Sequence, residues 1–95
     1  MGDVINFKFN TITRLTASWC GPCKMYAPIF EEVTDGFVDE WKIVTLDVDS
    51  DAGKEFAMKH NARSVPTTVI EHHGQETLVV PGVIDKTKLE FLLTK

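Results

Sequence analysis

The chain has 95 residues, of which 43% are apolar and 25% are charged. These values are typical of a globular protein, so they exclude a disordered chain and fit one domain, residues 1–95. Fourteen acidic residues against ten basic ones give a net charge of −4, and we therefore expect neither nucleic acid nor an anionic membrane surface as a partner.

The start of the chain does not predict an export signal. Residues 1–9 contain one lysine and a broken apolar pattern instead of a basic start and a long apolar run. No stretch approaches the ~20 apolar residues of a membrane span. We therefore expect a protein of the reducing cytoplasm.

In chain order, the first half predicts strand, helix and strand. Residues 5–9 alternate apolar and polar side chains, and residues 11–17 are rich in β-branched ones, so both predict strands or one continued strand. Residues 42–48 predict a buried strand. A helix from Pro22 is expected between them, kinked at Pro28. Its wide apolar face is predicted to contain Met25, Tyr26, Ile29, Phe30, Val33 and Phe37.

The second half predicts a helix, a hairpin and a last helix. Ser50 or Asp51 can cap a helix that ends near residue 60, although Gly53 should weaken it. Residues 67–71 and 76–80 predict a hairpin, and Asp85 can cap the last helix. Strand–helix–strand followed by a hairpin predicts an α/β fold: a mixed sheet of four to five strands with about three helices on both faces.

Cys20 and Cys23 lie where a predicted strand meets a predicted helix, and they are the only cysteines in the chain. The first turn of a helix stabilises an anion, which lowers the pKa of the Cys20 thiol and makes it a nucleophile. Cys23, one turn later, can attack a mixed disulfide at Cys20, while Gly21 permits the tight turn and Pro22 limits flexibility. The pair therefore predicts thiol–disulfide exchange and no other cofactor.

Metal binding is the alternative for this pair. Zinc needs four ligands, so the two cysteines would have to recruit two of His60, His72 and His73, whose spacing is unusual for such a site. An iron–sulfur cluster shared between two chains is a second alternative. We expect all three histidines to lie at the solvated surface.

The motif Trp19-Cys20-Gly21-Pro22-Cys23-Lys24 is identical to that of thioredoxins. Further similarities lie at Pro28, in residues 47–49 and 64–67, and at Gly74 and Gly82. Over residues 12–93 the chain resembles the thioredoxin family, and its size is similar to that of small phage or archaeal thioredoxin-like and glutaredoxin-like proteins. Because few residues precede Cys20, we expect the first helix of full-length members to be missing.

The resemblance implies a cis-proline at Pro66, next to Cys20, and a docking surface made by Trp19, Val65 and Gly82. A core position is the alternative for Trp19. It further implies a protein-disulfide reductant, with disulfide-containing proteins as substrates and a thioredoxin-reductase-type or glutathione reductant. A monomer is expected because substrates must reach Cys20. A disulfide oxidase or isomerase, and a redox-independent binding module, remain alternatives.

The chain departs from the family pattern around its predicted central strand. Arg14 stands where thioredoxins typically carry a buried Asp, Thr45 takes the approximate place of a partner lysine, and Thr16 replaces an aromatic residue. Arg14 cannot accept a proton. We expect Arg14 to approach an acid such as Asp47, to lower the pKa of Cys23 directly, or to extend into solvent.

Overall fold

The computed structural model describes residues 10–94. The strand predicted at residues 5–9 lies outside the described residues. The elements are β1 (Asn10–Thr16), α1 (Gly21–Asp35), β2 (Trp41–Asp47), α2 (Asp51–Lys59), β3 (Thr67–Glu71), β4 (Leu78–Pro81) and α3 (Lys86–Thr94).

The sheet is mixed and has the strand order β2-β1-β3-β4. β1 pairs parallel to β2 with Thr16 opposite Asp47, a pairing that requires the crossover through α1. β3 runs antiparallel to β1 with Thr67 opposite Leu15, and β4 runs antiparallel to β3. The carboxyl ends of β1 and β2 and the start of β3 therefore lie side by side at the same end of the strands. The predicted α/β fold is confirmed.

The core forms where α1 and α3 cover the sheet. It joins Ile12 and Ile70 of the sheet to Leu89 and Leu93 of α3, and α1 adds Tyr26, Phe30 and Val33. The apolar face predicted for α1 is wrong in one respect, because Met25 is 65% exposed. The face follows spacings of three and four residues from Tyr26, and Met25 lies about 100° around the helix from that residue.

β2 does not have the buried character predicted for residues 42–48. Within residues 10–94 it is the outermost strand of the sheet. After the buried Trp41 its side chains are exposed or half-buried, and the half-buried Ile43 and Val44 are consecutive. An edge strand within the described part of the chain has a neighbour on one side only. Because consecutive side chains of a strand point to opposite faces, Ile43 and Val44 show that both faces of β2 are partly covered.

α2 begins at the predicted cap, since the Ser50 hydroxyl accepts the backbone N–H of Gly53 at 3.0 Å. Gly53 is buried against the carboxyl end of β2. A Cβ placed there would overlap the carbonyl oxygen of Asp47 and lie 3.0 Å from the Cα of Val48. Gly53 therefore permits the close approach of α2 to β2, whereas the sequence suggested only a weak helix position.

No helix within residues 10–94 is long and apolar enough to cross a membrane.

Candidate active site

The two cysteines form a disulfide at the start of α1, with their Cα atoms 5.3 Å apart. Cys20 is the N-cap residue, and its extended backbone (φ −98°, ψ 111°) precedes the helical Gly21. Its sulfur accepts the backbone N–H of Cys23 at 3.1 Å. No acidic residue occupies the first turn of α1, so the helix has no carboxylate of its own at its positive end. The Cys20 sulfur thus lies at the helix N-terminus, where backbone N–H groups favour an anion.

Both cysteines are buried, Cys20 with 4% and Cys23 with 2% of its surface exposed. They pack with Ala17, and the half-buried Val48 and Val65 cover them. The sequence analysis placed Ala17 and Val48 in predicted strands but did not predict that they contact the cysteines. Each residue directly follows a strand whose carboxyl end lies beside the disulfide. That position in the sequence could have indicated a contact with the cysteines.

The remaining motif residues surround the disulfide. Gly21, Pro22 and Lys24 are exposed, and Pro22 occupies the first turn of α1 as predicted. Trp19 is 67% exposed, so its alternative placement in the core is wrong. The indole Nε1 of Trp19 donates a hydrogen bond to Asp49 Oδ2 at 2.9 Å. This role of Asp49 was missed.

An apolar groove of about 200 Å³ lies beside Trp19, and Val48 and Val65 are among the residues that line it. The Val65–Pro66 peptide bond is cis. The buried Pro66 accepts the backbone N–H of Gly82 at 2.8 Å through its carbonyl oxygen. Gly82 has a φ of +89°, a left-handed conformation that favours glycine. Trp19 and Val65 therefore share one groove, and Gly82 is tied to the adjoining proline.

Arg14 lies in a second cavity of about 310 Å³ that Cys23, Lys24 and Asp47 also line. Only 8% of Arg14 is exposed, so the expectation that it extends into solvent is wrong. β1 has a strand on each side and α1 packs over this face, so the side chain is covered and only its guanidinium approaches the exposed Glu31. Its carboxylate contact is with Glu31, at 3.8 Å, rather than with Asp47.

Arg14 and Thr45, two of the residues that depart from the family pattern, contact each other. They are direct partners in the register of β1 and β2, and Arg14 Nη2 donates to Thr45 Oγ1 at 3.2 Å. The guanidinium also lies 5.0 Å from the centre of the Phe30 ring. Arg14 Nε has no hydrogen-bond partner among residues 10–94.

Tyr26 lies below the site on α1 and is fully buried. Its hydroxyl is 2.7 Å from Thr68 Oγ1 on β3. Burial raises the pKa of the Tyr26 phenol, although the Thr68 hydrogen bond and the charge of Arg14 partly oppose this.

The histidines do not form a metal site with the cysteines. No group of three or more His, Cys, Asp and Glu side chains suited to a metal ion occurs in the described range 10–94. The expectation of solvated histidines is wrong for two of them: the half-buried His60 lies 4.3 Å from the Phe56 ring, and the half-buried His72 lies 5.3 Å from the Trp41 ring. His73 is exposed.

Comparisons with known proteins agree with this geometry. Residues 3–95 match the protein family described as Thioredoxin. The chain is 33% identical over 93 residues to thioredoxin of Synechocystis sp., which covers 98% of this chain and 85% of the relative. It is 39% identical over 79 residues to thioredoxin of Bacillus subtilis, covering 83% and 74% of the two chains. The solved structure of chloroplastic thioredoxin z matches with a TM-score of 0.77 at 25% identity, over 90% of this chain and 76% of the other.

Proposed function

This chain belongs to the thioredoxin family of thiol–disulfide oxidoreductases, and from that premise we propose that it is a reductant of disulfide-bonded proteins. The observation that carries the proposal is the Cys20–Cys23 disulfide at the start of α1. Its Gly-Pro spacer resembles that of reducing members of the family.

In the proposed reaction, the Cys20 thiolate attacks one sulfur of a substrate disulfide. A mixed disulfide forms at Cys20, and the other substrate sulfur leaves as a thiolate. Cys23 then attacks the sulfur of Cys20, the mixed disulfide breaks, and the second substrate sulfur is released. The substrate gains two electrons and the Cys20–Cys23 pair loses them. The N-cap position of Cys20 supports its role as the attacking sulfur.

The proposed docking surface consists of Trp19, Val65, Pro66 and Gly82. Trp19 and Val65 line one groove beside the disulfide, and the Gly82 N–H is bonded to the Pro66 carbonyl. Exposed aromatic side chains commonly anchor a partner. An extended substrate segment can pair with exposed backbone by strand addition, as other peptide-binding domains do. Gly21, Pro22 and Lys24 support the site from the first turn of α1.

Each turnover leaves an oxidised pair, so a second reaction must return two electrons to it. We propose a thioredoxin-reductase-type enzyme or glutathione as that reductant. This cycle requires a reducing compartment, and we place it in the cytoplasm. It needs no metal or organic cofactor, and a monomer leaves Cys20 open to both partners.

Reduction of insulin disulfides tests the proposal. The purified chain is assayed with each reductant, and with Cys20→Ser as the inactive control. We expect turnover by the unmodified chain and none by the variant. A Cys23→Ser variant should accumulate the mixed disulfide, because the resolving sulfur is missing.

The alternatives predict different results. No turnover with either reductant would contradict the proposal. A reduction potential near the roughly −180 mV of protein disulfide isomerase, instead of near the roughly −270 mV of thioredoxin, would favour the oxidase or isomerase alternative. A redox-independent binding module would keep its activity when both cysteines are replaced by serine.

A further inference from the structure

Arg14 is a charged residue in an environment where an unpaired charge is costly. The residue is 8% exposed and lies on β1, between β2 and β3. Its neutral contacts are the Thr45 hydroxyl at 3.2 Å and the face of the Phe30 ring at 5.0 Å. Its Nε has no hydrogen-bond partner within the described residues. The guanidinium therefore keeps a positive field that its neutral contacts do not cancel.

That field acts in the cavity that also contains Cys23. The charged residues lining this cavity come from every element packed around it: Arg14 from β1, Lys24 from α1 and Asp47 from β2. Glu31 of α1 adds a carboxylate at 3.8 Å from Arg14. Because the cavity opens to solvent, a proton released from Cys23 can leave through it.

The two carboxylates oppose Arg14 less than a simple count of charges suggests. The Glu31 side chain is 70% exposed, so water screens it, whereas the Arg14 side chain is 9% exposed. Asp47 is exposed and accepts the backbone N–H of Asp49 at 2.8 Å. Arg14 is therefore the least screened of the charges around the cavity that Cys23 lines.

We propose that Arg14 is a positioning residue for the second half of the exchange, whose guanidinium stabilises the thiolate of Cys23. The proposal rests on the function proposed above and extends it to the resolving step. The Cys23 thiol loses its proton to solvent, and its sulfur attacks Cys20 in the mixed disulfide. The Cys20–Cys23 bond forms, the bond from Cys20 to the substrate breaks, and the substrate sulfur leaves with the electron pair. No buried carboxylic acid is needed as a base.

The test titrates Cys23 alone. In a Cys20→Ser background Cys23 is the single thiol, and the ultraviolet absorbance of its thiolate is followed against pH. We expect Arg14→Met to raise the pKa of Cys23 by about one unit, which is a tenfold loss of thiolate below that pKa. Arg14→Lys keeps the charge and should recover much of the shift.

Lys42→Met is the matched control. It removes a charge of the same sign from an exposed residue. Lys42 follows Trp41 at the start of β2, at the other end of the strand from Asp47. Lys42 and Asp47 are five positions apart along the strand, roughly 16 Å, which exceeds the screening length at physiological salt. We expect no change in the Cys23 titration. An equal shift in this control would assign the effect to net charge and overturn the proposal.

Glu31→Gln gives a second test that does not disturb the buried side chain. Glu31 is exposed, so the variant should fold, and removal of its water-screened charge should lower the pKa of Cys23 by less than Arg14→Met raises it. Identical titrations for the parent, Arg14→Met and Glu31→Gln would overturn the proposal. Insulin reduction by the unmodified chain would still stand in that case, so the two failures are distinguishable.

Discussion

Gly53→Ala tests whether the contact between α2 and the end of β2 supports the site. The added Cβ would overlap the carbonyl oxygen of Asp47, lie 2.6 Å from its carbonyl carbon and 3.0 Å from the Cα of Val48. These are backbone atoms, so no side-chain rotation relieves the contact. The same Asp47 carbonyl accepts the Ser50 hydroxyl at 2.6 Å, which in turn accepts the Gly53 N–H. The substitution therefore disturbs the cap of α2 as well.

The expected cost follows from three contributions. Overpacking costs about 1–3 kcal/mol, and rigid neighbours place Gly53 at the upper end of that range. Loss of the Ser50 cap adds about 1 kcal/mol. The higher helix propensity of alanine returns about 1 kcal/mol. We expect a net loss of about 3 kcal/mol in the free energy of unfolding, or a fall in Tm of roughly 12–24 °C for a domain of this size.

Urea unfolding followed by circular dichroism measures this loss, and Gly36→Ala is the control. Gly36 has a φ of −79°, and a Cβ there would make an ordinary 3.6 Å contact with the Val33 carbonyl. That variant should be neutral or up to about 1 kcal/mol more stable. If Gly53→Ala loses less than about 0.5 kcal/mol, the overpacking argument is refuted.

Three further predictions concern the groove, the core and the surface. Trp19→Ala should raise the KM for insulin reduction more than it lowers kcat. Asp49→Ala should have a smaller effect in the same direction, because that substitution only frees the indole of Trp19. An unchanged KM in Trp19→Ala would contradict the docking role of Trp19. Tyr26→Phe should cost about 1–2 kcal/mol in urea unfolding, because it removes the hydrogen bond to the buried Thr68. Because the folded-state pKa of Tyr26 is raised, its stabilising contribution is complete below about pH 10 and is lost as pH rises through the higher folded value. The parent chain should therefore lose stability in that pH range, and Tyr26→Phe should lose less. Lys86→Met should leave the unfolding free energy unchanged, since its ion pair is exposed; a clear loss would refute this.

Much of the fold could be predicted because the signals are local. Ser50 caps α2, Pro22 occupies the first turn of α1, and residues 67–71 form a strand with the bounds expected from their pattern. Each of these features depends on hydrogen bonds or steric contacts within about one turn. The chemistry could be predicted for the same reason, because the spacing of Cys20 and Cys23 already puts both at a helix start.

Features that depend on distant parts of the chain could not be predicted. Within residues 10–94 β2 is the outermost strand, a position that depends on which strands pair, so its half-burial was missed. Gly53 is required because backbone atoms at the end of β2 leave no room for a side chain there, whereas the sequence of α2 suggested only that this glycine weakens the helix. The histidine environments likewise depend on ring contacts that the sequence pattern does not encode.

The strand–helix–strand pattern predicted the α/β domain, and the two closely spaced cysteines at a helix start predicted a redox pair with metal binding as the alternative, because a helix start stabilises a thiolate. The same 95 residues left the place of Arg14 open between solvent and interior. Tertiary packing resolved this, since β1 lies between two strands and under α1, and it thereby buried a cation beside Cys23. Burial of a side chain depends on the neighbours that long-range pairing brings to it, and no local pattern in the sequence records them.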